Sequence, residues 1–366
     1  MESNNSDKSD KINNKKYKLK YKYDYQLALK ERNKILEQID YPYLKYYVSE
    51  DKIRRNFKRL KKVKPHTINR PYFIDYIKLQ PDELKFEGMN VLILSRFDEF
   101  QKVDEISDYF NESCRNQCVF FGSKGSTYDY YRKNLHLIIR HLSENLMEIN
   151  IKNMREMIFM YGKQDGYGEC STFRPKFLRY IIDHFGSRNV LDMSAGWGDR
   201  LIAAMASNID VYHGFDPNPC LHPNYQKMIE FFKPQYANKN AEFKMFELPF
   251  EKAILQNDFY DLMFTSPPYF DIEIYDSNAS SQSTHNQNEK SWYDNYLKVW
   301  IEIIYKALKK GGIMSFNINQ FEHHHFVTWL ISDLKKDSRF KFLGTIGYSG
   351  KNIRNVQPIF FWKKIN

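Results

Sequence analysis

Asn189–Arg200 reads NVLDMSAGWGDR. The apolar run up to Ser194 has the continuous pattern of a buried strand. It runs into Ala195, Gly196, Trp197 and Gly198, and a helix-forming stretch follows. Glycine lets the backbone turn tightly and approach a ligand with no Cβ in the way. Alone, such a turn also suits a plain strand-to-helix connection, and two glycines do not complete a dinucleotide fingerprint. Its meaning comes from what surrounds it.

Downstream the alternation repeats. VYHGFD ends at Asp216, EFKMF follows, and YDLMFTS ends at Ser266. The helix WYDNYLKVWIEIIYKALKK, with a stop at Gly311-Gly312, leads into the strand IMSFNI. A further helix, HHFVTWLISDLKK, precedes the strands FKFLGTIGYS and QPIFFWKK, joined by GKNIRNV. Five β-α units and a hairpin predict an α/β, Rossmann-like, doubly wound and mostly parallel sheet with an antiparallel edge at its C-terminal hairpin. On such a sheet ligands bind at the carboxyl ends of strands, where the distinctive residues fall. Asp216 lies 20 residues past Gly196, a position suited to a carboxylate that accepts both hydroxyls of a ribose. An ordinary helix cap is the plainer use of an Asp-Pro.

The fourth strand ends in Ser266, Pro267, Pro268 and Tyr269. Proline fixes φ and has no N–H, so this ledge presents carbonyl oxygens without competing donors. The amino group of a nucleobase is a poor nucleophile because its lone pair is conjugated into the ring. Two acceptors, Ser266 and the Pro267 carbonyl, can take its two hydrogens, draw the nitrogen toward tetrahedral geometry and free the lone pair. Tyr269 can stack on the base. The alternative is a buried Pro-Pro turn with a packing tyrosine.

Taken together these segments resemble the S-adenosylmethionine-dependent amino-methyltransferases of DNA, the cytosine-N4 and adenine-N6 enzymes. DMSAGWG resembles their cofactor loop, and TSPPY is similar to their catalytic (D/N/S)PP(Y/F/W) motif. STFRPKFLRYI, Ser171 to Ile181, resembles the segment that precedes the loop, with Phe173 and Pro175 in matching places. The resemblance covers residues 168–366. It implies S-adenosylmethionine as cofactor, its methionine part carried by Ala195, Gly196 and Gly198. Asp192 would orient that loop or the methionine amino group, and Asp216 would hold the ribose. Glu247 or Glu251 would meet the adenine, and Phe173 and Pro175 would wall the pocket. Ser266 to Tyr269 would be the catalytic residues, with no metal. A leading Ser is commoner in cytosine-N4 members, which implies N4 of cytosine as the target. Ser-type members often carry the catalytic motif ahead of the cofactor loop. Here it follows, so adenine N6 stays open. Two rivals remain: an enzyme of this fold acting on RNA or a protein amide, and a catalytically silent nucleic-acid-binding protein.

The first part of the chain reads differently. The net charge is +10, and residues 1–70 hold 20 Lys+Arg against 9 Asp+Glu, so the whole basic excess lies there. Such asymmetry predicts a polyanionic partner, DNA before RNA. Residues 1–22 read as a disordered basic tail, which can equally serve solubility. Residues 23–165 read as a mainly helical region suited to target recognition, and residues 166–366 as the methyltransferase domain. In DKIRRNFKRLKKV, Ile53, Phe57 and Leu60 recur at helical spacing, with Arg54, Arg55, Lys58 and Arg59 as candidate phosphate contacts. NVLILS, Asn90 to Ser95, reads as one buried strand, and STYDYYRKNLHLIIRHLSENL as a helix.

Four cysteines do not make a disulfide framework. With no apolar leader and no run near the ~20 apolar residues of a membrane span, the expectation is a reduced, intracellular chain without membrane contact, cytoplasmic or nuclear. Its Asn, Lys, Ile, Tyr and Phe content fits an AT-rich viral or microbial genome. Cys114 and Cys118 read as ordinary helix residues, and His323 to His325 lack companions for a metal site. The polar stretch Asp276 to Ser291 reads as a flap that closes over nucleic acid, or as a tolerated insertion.

Overall fold

The computed structural model describes residues 25–30, 32–64, 67–71, 90–95, 101–120, 122–268, 270, 273–275, 288–319, 324–349 and 356–366. The tail 1–22, Tyr269, His323 and residues 276–287 of the expected flap lie outside them. The chain forms two compact units, one of residues 1–56, 106–172 and 271–278 and one of the remainder. α3 (Glu50–Leu60) carries the chain from the first to the second.

The first unit is mainly helical. α1 (Tyr25–Lys30), α2 (Arg32–Gln38), α5 (Thr127–Glu144) and α6 (Ile151–Tyr161) bury one apolar cluster that includes Ile35, Tyr41, Tyr131, Leu135, Ile138, Met154 and Ile158. α5 starts where its sequence directs. Ser126 accepts from the Asp129 N–H, and the Asp129 carboxylate accepts from the Ser126 N–H, a reciprocal cap. β3 (Val119–Phe120) pairs with β8 (Glu273–Ile274) in a two-stranded ribbon. Cys118 and Cys170, 52 residues apart, form a disulfide with Cα atoms 5.8 Å apart. This corrects the expectation of reduced cysteines. Cys118 sits past the end of α4 (Asp108–Arg115), and its partner is too distant in sequence for spacing to reveal.

The second unit is built on a nine-stranded sheet in the order β1-β2-β10-β11-β9-β7-β4-β5-β6. Its parallel part comprises β4 (Asn189–Asp192), β5 (Val211–Phe215), β6 (Glu242–Phe246), β7 (Tyr260–Thr265) and β9 (Leu308–Asn317). β10 (Phe340–Ser349) and β11 (Val356–Lys364) are the antiparallel hairpin. The hairpin is not the edge. β2 (Asn90–Ser95) pairs in parallel with β10, and β1 (Thr67–Pro71) lies outside it. A hairpin left open would expose a row of unpaired backbone groups, and these two strands cover it. The sequence marks NVLILS as a strand but cannot say which neighbour it takes.

Two helix-to-strand details also differ from expectation. The helix before β9 contains a π turn at Tyr293–Leu297, and its final segment, α11 (Lys298–Ala307), ends before the glycines. Gly311 and Gly312 instead lie inside β9, where pairing with β7 jumps from Tyr260↔Leu308 to Leu262↔Ile313. Gly311 has φ +83°, and a Cβ on Gly312 would come within 2.9 Å of the Lys309 carbonyl. The glycines make a bulge.

Candidate active site

Chain order β4-β5-β6 runs to one side of the sheet and β7-β9 to the other, so the order reverses between β4 and β7. A crevice opens at such a reversal, at the carboxyl ends of its two strands. The glycine loop follows β4, and the Ser-Pro-Pro ledge follows β7.

The loop is tied down from both sides. Ala195 N–H donates to the Phe215 carbonyl at 2.8 Å, and Gly198 (φ +91°) leads into α8 (Asp199–Met205). Gly196 has φ +59°, and a Cβ there would meet nothing nearer than 3.8 Å. Glycine at Gly196 is required by backbone conformation and leaves open space above the turn. Asp192 is wholly buried. Its Oδ2 accepts from Arg200 Nε and from the Tyr212 hydroxyl, both at 2.7 Å, and its Oδ1 accepts from Ser194 N–H at 3.2 Å. It shapes the loop from beneath. Asp216 directly follows β5 and is nearly buried. Gly196 N–H reaches its Oδ2 at 2.8 Å, and Asn218 N–H its Oδ1 at 2.9 Å. Burial pushes its carboxyl up to about 6, against the opposing effect of those N–H groups, His222 and Arg200. Tyr225 closes the loop by donating to the Gly196 carbonyl.

Phe173 packs 4.9 Å from Phe264, and buried Pro175 opens α7 (Pro175–Phe185). Past β6, Glu247 is exposed. Glu251, four residues on, has a buried Oε2 with no hydrogen-bond partner. On α3, Ile53, Phe57 and Leu60 are buried. Arg55, Lys58 and Arg59 are exposed and Arg54 is half-buried. His324 and His325 precede α12 (Phe326–Lys336). Among the described residues no group of three or more His, Cys, Asp or Glu is arranged to hold a metal. No described helix is long and apolar enough to cross a membrane.

Strand register adds residues that spacing alone does not reveal. Asp192 pairs with Phe264, and Phe264 with Ser315. Two residues further along each strand, Ser194, Ser266 and Asn317 therefore stand in one row. Ser194 Oγ donates to the Ser266 carbonyl at 2.8 Å and lies 2.8 Å from Thr265 Oγ1. Asn317 Nδ2 donates to Ser266 Oγ at 3.1 Å. Arg200 contacts Ser194 Oγ at 3.4 Å, and its guanidinium lies 5.9 Å from the Phe264 ring. A continuous hydrogen-bonded path thus runs from Asp192 beneath the loop to the ledge. Ser266 is half-buried and Pro267 buried.

A family model described as DNA methylase, of the N6/N4 type, matches residues 260–358, the span from β7 to β11. No curated protein matches the chain. Among solved structures, the tRNA (m1A58) methyltransferase TrmI of Aquifex aeolicus is 14% identical, over 54% of this chain and 71% of that one, with a TM-score of 0.34. An O-methyltransferase of Bacillus cereus is 12% identical, over 62% and 96%, with a TM-score of 0.34. The 1,6-didemethyltoxoflavin-N1-methyltransferase of Burkholderia thailandensis is 13% identical, over 52% and 78%, with a TM-score of 0.35. Likenesses this faint carry nothing about substrate. The chain is thus similar to DNA methylases over residues 260–358, and its fold is a doubly wound α/β sheet with the glycine loop and the Ser-Pro-Pro segment at neighbouring strand ends.

Proposed function

We propose that the protein is an S-adenosylmethionine-dependent methyltransferase and that it delivers the methyl group to the exocyclic amine of a DNA base, N4 of cytosine. The observation that carries this reading is the half-buried Ser266 hydroxyl at the carboxyl end of β7, beside the cofactor-loop strand and followed at once by Pro267 and Pro268. Ser266 Oγ and the Pro267 carbonyl accept the two amine hydrogens, and neither proline offers a competing N–H. Tyr269 stacks on the base. Catalysis is then positioning and hydrogen bonding, with no covalent intermediate.

The chain's residues fit the cofactor. A carboxylate offers about four acceptor sites, and two backbone N–H groups occupy Asp216, so the rest suit a vicinal diol. Ala195, Gly196 and Gly198 leave room for the methionine part, with Asp192 orienting the loop. Phe173 and Pro175 wall the pocket. Glu251, with its orphaned oxygen, suits the adenine amine better than exposed Glu247. When bound, S-adenosylmethionine would supply an electrophilic sulfonium methyl group to that amine, with the thioether as leaving group and one amine proton lost to solvent. Arg54, Arg55, Lys58 and Arg59 are proposed to contact phosphates, and the helical unit to serve target recognition while the sheet unit carries the chemistry.

A second reading, adenine N6, is favoured by the order of the two motifs, cofactor loop before ledge. Incubation with tritiated S-adenosylmethionine and DNA, RNA or protein, then mass spectrometry of nucleosides, separates these readings. N4-methylcytosine is expected. Pro267→Ala should slow turnover with cofactor affinity kept, and Tyr269→Ala should cost about 1–3 kcal/mol in base capture. N6-methyladenine as sole product would move the assignment to adenine. Full activity in both variants would reduce Ser266–Tyr269 to a turn.

A further inference from the structure

We infer that Asn317 is a positioning residue for Ser266: its carboxamide NH2 fixes the direction of the Ser266 hydroxyl and so selects the lone pair that meets the substrate amine. The inference rests on the ledge reading above.

Asn317 is the last residue of β9 and only 3% exposed. It stands in the same row as Ser194 and Ser266, and the two neighbours divide the work. From β4, Ser194 holds the Ser266 backbone by donating to its carbonyl at 2.8 Å. From β9, Asn317 Nδ2 holds the side chain by donating to Oγ at 3.1 Å. A serine hydroxyl has one hydrogen and two lone pairs and turns among three staggered positions. A strand-end serine held only by its backbone would spread its acceptor over those positions. The Asn317 N–H occupies one lone pair and bars the hydroxyl hydrogen from that position, leaving a single lone pair to accept an amine hydrogen. Asparagine suits the task because the amide N–H donates at any pH near neutral. An aspartate in its place would accept the hydroxyl hydrogen and turn the oxygen the other way.

The test uses full-length protein in two measurements. In the first, Ser266→Cys is made with Asn317 intact and with Asn317→Ala. The alkylation rate of residue 266 is then followed against pH, resolved by peptide mass so that the native cysteines do not interfere. A donated N–H stabilises the thiolate, so the reactivity midpoint should lie lower with Asn317 present. Coincident midpoints would overturn the inference whatever the substrate proves to be.

The second is a double-mutant cycle on methylation of unmethylated genomic DNAs of high and low GC content. Asn317→Ala should lower kcat about tenfold or more, the loss of one hydrogen bond to the reacting group, with S-adenosylmethionine affinity unchanged. Asn317→Asp should be equally slow. In a Ser266→Ala background, Asn317→Ala should change the residual rate by less than about twofold. Parent-like turnover in Asn317→Asp would overturn the donor role, and a full tenfold loss in the Ser266→Ala background would show that Asn317 acts elsewhere. If Ser266→Ala itself is fully active, the ledge reading falls, and the thiol titration still decides whether Asn317 directs residue 266.

Discussion

Each unit buries a cluster of charges, and the two clusters end differently. In the helical unit, Arg155 Nε donates to Glu112 Oε1 and Leu44 N–H to Glu112 Oε2, both at 2.7 Å. Arg115 forks onto Asp108 at 2.8 and 2.7 Å and reaches Glu169 at 2.6 Å. These bonds close on one another within the helical unit. In the sheet unit, Arg200 and Tyr212 close on Asp192, but Arg200 also touches Ser194, whose hydroxyl continues to Ser266. That path opens onto the strand ends. Perturbed titration does not separate the two: burial raises Glu112 as it raises Asp216. A shifted carboxyl marks a site only where its network leads to open space at the right edge of a sheet.

The largest effect that would break this contrast lies in the closed cluster. Glu112→Ala would leave Arg155 only its 3.4 Å contact to Asp108 and the Leu44 N–H without its acceptor, and removing one partner of a buried pair costs about 3–5 kcal/mol. Urea unfolding should record that loss, while S-adenosylmethionine affinity of the folded protein stays at the parent value. A weakened cofactor would mean the closed cluster serves the site. The open cluster should behave otherwise. Arg200→Met leaves the Asp192 carboxylate buried with less compensation and removes the contact to Ser194. Calorimetry should show cofactor affinity down by about 2–3 kcal/mol, within the range for charge-assisted hydrogen bonds. Unchanged affinity would make Asp192 and Arg200 as purely structural as Glu112 and Arg155.

What the sequence disclosed follows from range. The helix Thr127–Glu144, the turn at Gly196 and the strand ending beside Ser266 are local, written in periodicity, glycine and proline. The row of Ser194, Ser266 and Asn317 is not local. Its bonds span 72 and 51 residues and exist only once β4, β7 and β9 lie in register. Serine and asparagine at strand ends look like ordinary caps until that register is known. The place of β2 beside β10 and the pairing of Cys118 with Cys170 were hidden for the same reason. Between Glu247 and Glu251 the sequence offered two equivalent acids. Burial distinguishes them, because only Glu251 keeps an oxygen away from water without a partner.

The smallest effect concerns pH and sharpens the contrast at Asp216. Its carboxyl is raised from the ordinary value of 3.8 to about 6, first by burial. Raised folded-state affinity for a proton means that the folded form is protonated between these values while the unfolded form is not. This carboxyl therefore favours folding at low pH, and that contribution is lost as pH rises through about 6. Cofactor binding should run the opposite way. Ribose hydroxyls donate best to the ionised carboxylate, whose fraction falls about tenfold from pH 7 to pH 5 for a group titrating near 6. The cofactor's own ionisations lie outside that window. S-adenosylmethionine affinity should therefore weaken by about tenfold on acidification across it, about 1.4 kcal/mol. Asp216→Asn should bind weakly and almost without pH dependence. A parent affinity that is flat from pH 7 to pH 5, or an Asp216→Asn variant that keeps the slope, would remove Asp216 from the ribose and leave it, like Glu112, a buried acid that serves only the fold.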